Sequence, residues 1–187
     1  MSDLHDRISG LSPIKRLLLE KLRIAHVQPA GDVPRRDGRA GPLSWEQRRL
    51  WFMHRLAPRG AAYTIPVAFR LVGPLDAHAL VSALRAVVQR HQALRLAFRE
   101  ADGEPAQEAG PADRVPIEHV DLRDSGDADA RIAAFFGRGF ELTREPPFRA
   151  LLARTADDAH VLAFASHHAA SDGASTPVLL REMSALY

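Results

Sequence analysis

Residues 166–175 read SHHAASDGAS, with His167 and His168 adjacent, Asp172 four residues further on, and Gly173 after it. An imidazole titrates near pH 6.5, close to working pH. Held in the open, it can take a proton from an attacking amine or hydroxyl, which is worth roughly 10²–10⁴-fold in rate. Asp172 could hold the loop by pairing with an arginine, and Gly173 could supply a positive-φ turn that other residues adopt only at a cost. A metal centre would need a further ligand, and with no cysteine and no second His/Asp cluster nearby the spacing points there only weakly. The G-x-S-x-G elbow of a serine hydrolase is absent. The plain alternative is that both histidines are ordinary, partly buried residues and that Asp172 caps a helix.

These side chains need elements to hold them. HVLAFAS (160–166) is almost wholly apolar, the pattern of a central strand covered on both faces. Successive strand side chains point to opposite faces, so His167 and His168 cannot share one cavity if they continue that strand. One belongs to the core or to a structural hydrogen bond; the other is presented at the strand end, before the helix STPVLLREMSALY, which Ser175 can cap. A partner strand precedes a turn at Asp157 and Asp158, with Phe148, Ala150 and Leu152 alternating against Arg149, Leu151 and Ala153.

Further upstream, SWEQRRLWFMHRLA has Ser44 and Gln47 in capping-box positions. AYTIPVAFRLV reads as a strand that Pro66 places at an edge or bulge. In DAHALVSALRAVVQRH the residues Leu80, Ala83, Leu84, Val87 and Val88 keep one helical stripe. LRLAFRE and VPIEHVDL read as strands, ADGEP as a turn, and DADARIAAFFGRGF as a helix weakened by Gly137 and Gly139. The order of elements predicts an α/β or α+β domain with a mixed sheet flanked by helices. It begins near Leu43. Before it lie a short helix within residues 1–25, with Ile14, Leu17, Leu18 and Leu22 on one stripe, and a Pro/Gly/Arg-rich linker over 26–42.

Composition excludes several classes. With 25 Lys and Arg against 23 Asp and Glu, and the arginines scattered apart from one short cluster at Arg35, Arg36 and Arg39, nucleic acid is not an expected partner. The absence of cysteine removes disulfides and thiolate metal sites. Neither an apolar run of membrane-spanning length nor a secretory leader appears, so a cytoplasmic domain without membrane association is expected.

The decapeptide resembles the H-H-x-x-x-D-G signature of the condensation-domain and chloramphenicol-acetyltransferase-like acyltransferases. Two further stretches resemble the same family in the right order. LSWEQRRLWF (43–52) is similar to the first core motif of nonribosomal peptide synthetase condensation domains. RHQALRLAF (90–98) is similar to the second, with Gln92 and Leu96 where Glu and Thr are usual. The resemblance covers residues 43–187 and implies a chloramphenicol-acetyltransferase-like fold. It implies that His168 is the catalytic histidine and that His167 is structural. Asp172 would shape the loop in partnership with Arg95, and Gly173 would leave room beside the pocket. Ser166, Ala169, Ala170 and Ala174 stand where the family often has bulkier residues, which implies a pocket either wider or less tightly set, and a substrate preference that the resemblance does not carry over.

The implied reaction is acyl transfer. A thioester on one carrier protein's phosphopantetheine arm would be attacked by an amine, or by a hydroxyl, on a second carrier. No cofactor bound by the chain itself is expected. The D-x-x-x-x-D signature of heterocyclising relatives is missing at this place. The resemblance also implies a domain about twice this length, built as two similar halves around a channel. On that reading the chain is the N-terminal half, its partners are the donor and acceptor carriers and the C-terminal half, and residues 1–25 either link or dock an upstream synthetase subunit. The competing readings are a non-catalytic carrier-binding module on the same scaffold and a wax-ester or polyketide-type acyltransferase.

Overall fold

The computed structural model describes residues 40–58, 60–101, 103–124 and 127–187. The helix expected near the N-terminus and most of the linker lie outside the described residues. Gly41 and Pro42, expected in that linker, instead form a short strand β1 that pairs with Gln107 and Ala106.

Helix α1 (Trp45–Leu56) starts at Ser44, with both hydrogen bonds of the capping box made. Strand β2 (Thr64–Val72) follows, then helix α2 (Ala77–Arg90) capped by Asp76. A 3₁₀ turn at Gln92–Arg95 leads into the hairpin of β3 (Leu96–Ala101) and β4 (Glu104–Ala109). Gly103 turns that hairpin at φ 78°, where a side chain would be strained. Strand β5 (Ile117–Asp121), helix α3 (Ala128–Gly137), strands β6 (Phe148–Ala156) and β7 (Ala159–His167), and helix α4 (Ser175–Leu186) complete the order.

The strands form two sheets. The larger has the order β2-β7-β6-β5, antiparallel except for the parallel β5–β6 pair, and the smaller is the antiparallel β1-β4-β3. Pro66 sits on β2, an edge strand, where its missing N–H disturbs no ladder. Strand β7 lies inside the larger sheet, which explains its continuous apolar run.

The alternation along β6 and β7 sorts the core into two layers. Phe148, Ala150, Leu152, Leu162 and Phe164 join Leu80, Leu84, Val87 and Val88 of α2 and Leu179 and Met183 of α4. On the other face Leu151, Ala153, Ala163 and Ala165 meet Trp51 of α1, Phe98 of β3, Phe135 of α3 and the buried Phe140 and Leu142. The alanines on this second face leave volume for the large rings that cover it. The sheet is therefore covered by helices on both sides, as the sequence pattern required.

One buried cation joins this packing. Arg149, 1% exposed, lies over the Phe140 ring at 4.1 Å and the Phe135 ring at 5.3 Å. Its guanidinium donates to the carbonyls of Phe135, Arg138 and Gly139, at and just past the end of α3. Those carbonyls have no partner within the helix, and a cation suits the negative end of its dipole. Burial pulls the Arg149 pKa down to about 10, with repulsion from Arg138 adding to it, so the group still carries its charge at neutral pH.

Candidate active site

Strand β7 ends between two neighbours, and each fixes one histidine. The His167 N–H donates to Pro147 O at 2.8 Å, just before β6, and the His168 N–H donates to Tyr63 O at 2.9 Å, just before β2. With successive peptide groups tied to opposite neighbours, the side chains diverge as the strand period requires. His167 is 2% exposed, whereas His168 is exposed.

The His167 ring packs beside Tyr63, Phe140 and His54, with centroids 6.2, 6.2 and 6.5 Å away. Its Nδ1 accepts the Ala169 N–H at 3.1 Å, which leaves the proton of the neutral ring on Nε2. Desolvation, then His54 and His168, depress its pKa from 6.5 to about 4, so it is neutral at working pH. Beyond it, the buried His54 ring of α1 meets the half-buried Glu141 at 3.2 Å.

The loop after His168 is held by its own atoms. Asp172 Oδ1 accepts the N–H groups of Ala174 and Ser175 at 3.1 and 3.0 Å and the Ser175 hydroxyl at 2.7 Å. Ser175 Oγ in return accepts the Asp172 N–H at 3.1 Å. These bonds, chiefly the Ser175 hydroxyl and with a smaller contribution from His168, hold the Asp172 carboxyl below the usual carboxylate range. Ser171 Oγ donates to Ser166 Oγ at 2.6 Å, tying the loop back to the strand.

Three sequence-based expectations need correction. Asp172 does not pair with Arg95. The Arg95 guanidinium donates to Gly110 O at 2.6 Å and Gln89 O at 3.2 Å, while the Gly110 N–H returns a bond to Arg95 O at 2.8 Å. Arg95 therefore fastens the end of α2 to the end of β4, and Asp172 spends its bonding capacity on the start of α4. Gly173 makes no left-handed turn, since the positive-φ glycines among the described residues are Gly73 and Gly103. A Cβ built on Gly173 would meet nothing within 4 Å, so the space beside it is open. Ser175, expected as the cap of α4, is the first residue of the helix; the N-cap position is Ala174, which has no side-chain cap, and the Asp172 carboxylate takes the Ala174 and Ser175 N–H groups from one residue further back.

A cavity of about 300 Å³ lies between α2, α4 and the sheet. Val67, Val87, Leu94, Phe148, Phe164 and Leu179 give it apolar walls, and Ser166, Asp172, Ser175 and Thr176 give it a polar side. His168 is not among its lining residues; Ala170 through Asp172 are. The loop thus has the exposed imidazole at its start and the cavity along its length. Among the described residues no group of three or more His, Cys, Asp or Glu side chains stands where it could hold a metal, and no helix is long and apolar enough to cross a membrane.

The arrangement offers one unbonded imidazole on a rigid base. The His168 ring makes no hydrogen bond within the described residues, so both nitrogens are available to a reactant. Sequence reading gave Arg149 only a place in the alternation of β6 and saw Gln47 only as a capping residue. Gln47 also donates from Nε2 to Ala169 O at 3.1 Å, beside His168.

The condensation-domain family model matches residues 39–187. One component of the linear gramicidin synthase of Brevibacillus parabrevis is 43% identical over 167 residues, covering 86% of this chain and 2% of that protein. Phosphinothricin tripeptide synthetase PhsC of Streptomyces viridochromogenes is 37% identical over 197 residues, covering 100% of this chain and 18% of that protein. The starter condensation domain of the rhizomide synthetase RzmA superposes with a TM-score of 0.73 at 25% identity, covering 80% of this chain and 39% of that one. The chain therefore spans a small part of the curated relatives it matches and about two fifths of the solved one. A family match across most of its length, on a fold shared with a solved condensation domain, places the chain in the condensation-domain family.

Proposed function

We propose that this chain supplies the catalytic imidazole for amide- or ester-forming acyl transfer between carrier-bound substrates in nonribosomal peptide synthesis. The observation that carries the reading is the contrast within the histidine pair. His167 is buried, neutral and bonded to the Ala169 N–H, while His168 is exposed with both ring nitrogens unbonded within the described residues. The peptide synthetases among the relatives support the substrate class.

In the proposed step the acceptor's amine attacks the carbonyl carbon of the donor thioester. A C–N bond forms, the C–S bond breaks, and the proton leaving nitrogen ends on the departing thiol. His168 accepts that proton, or orients the amine and balances the charge of the tetrahedral state, before handing the proton to sulfur. A hydroxyl acceptor follows the same course and gives an ester. His167 orients the segment and takes no proton at working pH. The donor and acceptor carrier proteins are the partners on this reading. The remaining wall of the reaction channel comes from the part of a condensation domain that this chain does not match. Residues 1–25 are proposed as a linker or docking segment for an upstream synthetase, which deleting them and measuring carrier affinity would separate.

The test is His168→Ala in the full-length synthetase, with product mass and carrier affinity measured together. Lost product with unchanged carrier affinity is the expected result. Unchanged product would overturn the catalytic assignment and leave the chain as a carrier-binding scaffold.

A further inference from the structure

The segment that presents His168 is held at its other end by a side chain of α1. Gln47 occupies the third helical position, where its Oε1 accepts the Ser44 N–H at 3.0 Å as half of the capping box. The same amide exchanges two hydrogen bonds with the Gln107 amide of β4, each 2.9 Å long. Its Nε2 also donates to Ala169 O at 3.1 Å. A primary amide has two donor hydrogens and two acceptor lone pairs, and here all four are used. The two outer bonds also leave no freedom to exchange O and N, because Ser44 N–H needs an oxygen and Ala169 O needs a donor. Gln107 is anchored in turn, its Nε2 reaching Pro42 O of β1 at 3.2 Å.

The consequence falls on the residue between two fixed peptide groups. Upstream of the His168 Cα, its N–H is bonded to Tyr63 O. Downstream, the Ala169 N–H is bonded to His167 Nδ1, the Ala169 carbonyl to Gln47, and its methyl is buried in the core cluster below α1. The two peptides flanking His168 are thus held by Tyr63 O and His167 Nδ1, and the Gln47 bond holds the next peptide, so that Ala169 is pinned on both its sides and the backbone of His168 is anchored at both ends. The direction of its Cα–Cβ bond follows, and only the side-chain torsions remain free. We propose that Gln47 is a positioning residue for the reaction, with its Nε2–H on Ala169 O holding Ala169 in place and, through that residue, the direction in which His168 presents its ring. The inference rests on the assignment of His168 above. It assigns Gln47 a second task, separate from capping α1.

The isosteric change Gln47→Glu separates the two tasks. A glutamate keeps the acceptor for the Ser44 N–H, so the capping box survives. It has no donor for Ala169 O or for the Gln107 Oε1 and sets an oxygen against an oxygen at Ala169, so Gln107→Leu, which removes the Gln107 pairing alone, is its control. The experiment uses the full-length synthetase with both carriers loaded, comparing wild type, Gln47→Glu, Gln107→Leu and His168→Ala for kcat, carrier KM and melting temperature. We expect Gln47→Glu to lower kcat by about tenfold or more, as small misplacements of a reacting group do. Carrier KM should stay within about twofold, since the changed atom touches no substrate. The deficit should narrow as pH is lowered, because the protonated carboxyl regains a donor. Gln107→Leu leaves the Ala169 bond in place but unbraces Gln47, and should show a smaller loss of the same kind. It also keeps the question answerable should Gln47→Glu fold poorly.

Wild-type kcat in these variants, or a pH-independent deficit that tracks the melting temperature, overturns the positioning role. If His168→Ala abolishes turnover while both glutamine variants match wild type, only this inference falls. If His168→Ala retains turnover, the catalytic assignment falls and this inference with it.

Discussion

Residue scale is where the two histidines part, and it allows a test of the buried one. His167 binds a proton at about 4 in the folded chain, against 6.5 when solvated. Between those values the unfolded chain holds more protons than the folded one, so stability falls as pH drops from 6.5 towards 4 and is undiminished above 6.5. The full shift corresponds to about 3 kcal/mol. Asn offers an acceptor near the place of Nδ1 and does not titrate. Urea midpoints measured at pH 7 and 4.5 should therefore fall less for His167→Asn than for wild type. Equal falls in the two proteins would show that the imidazole is not the acid-sensitive group. The divergence of the pair was legible in the sequence because strand periodicity alone decides it. The partner of Asp172 was not. A carboxylate's choice between an arginine and three donors of its own loop depends on where the end of α2 lands. Here Arg95 lands on Gly110 and Gln89.

At the scale of elements, the approach to α4 joins the site to the fold. Asp172 accepts two N–H groups and a hydroxyl from the first residues around that helix start, and the same loop borders the cavity. An Asn keeps an acceptor in the same place and an Ala does not. Asp172→Ala should therefore lower the melting temperature by a few degrees, and Asp172→Asn should stay close to wild type. A loss of the same size in both would point to the charge instead, through its proximity to His168. The long periodic elements were readable because their stripes are complete: Leu80, Ala83, Leu84, Val87 and Val88 are all buried along α2. Strand β4 was not readable. Its sequence EPAQEA holds no β-branched or aromatic residue, and it is a strand because the Gly103 turn folds it against β3 and β1 pairs on its other side. Arg149 was hidden for a similar reason. Nothing local to β6 says that the carbonyls ending α3 will lie beside that strand, although Phe135 and Phe140 supply the faces that cover its guanidinium.

At the scale of the whole molecule, the chain covers 39% of the solved condensation-domain chain that it resembles. The helix-covered sheet holds the histidine segment from β6, β2 and α1, and all of those anchors lie within residues 40–187. The anchors described for His168 are therefore supplied by this chain itself, whereas the proposed channel also calls on the unmatched part. Residues 1–187 alone should fold with His167 protected but form no amide or ester from loaded carriers. Product mass measured after incubation with both carriers checks this, and robust turnover by this chain alone would remove the need for a second channel wall. The apolar side chains exposed along α1, with Trp45 90%, Phe52 61% and Leu56 65% exposed, make self-association of the isolated chain an accompanying expectation.

The most direct test of the central claim is the single-turnover rate of acyl transfer in the full-length synthetase, with donor and acceptor carriers pre-loaded so that binding and product release drop out. Replacing His168 by Ala should slow that step by roughly 10²–10⁴-fold, the range for loss of a positioned acid–base group. A rate within a few-fold of wild type would mean that the exposed imidazole takes no part in the chemistry.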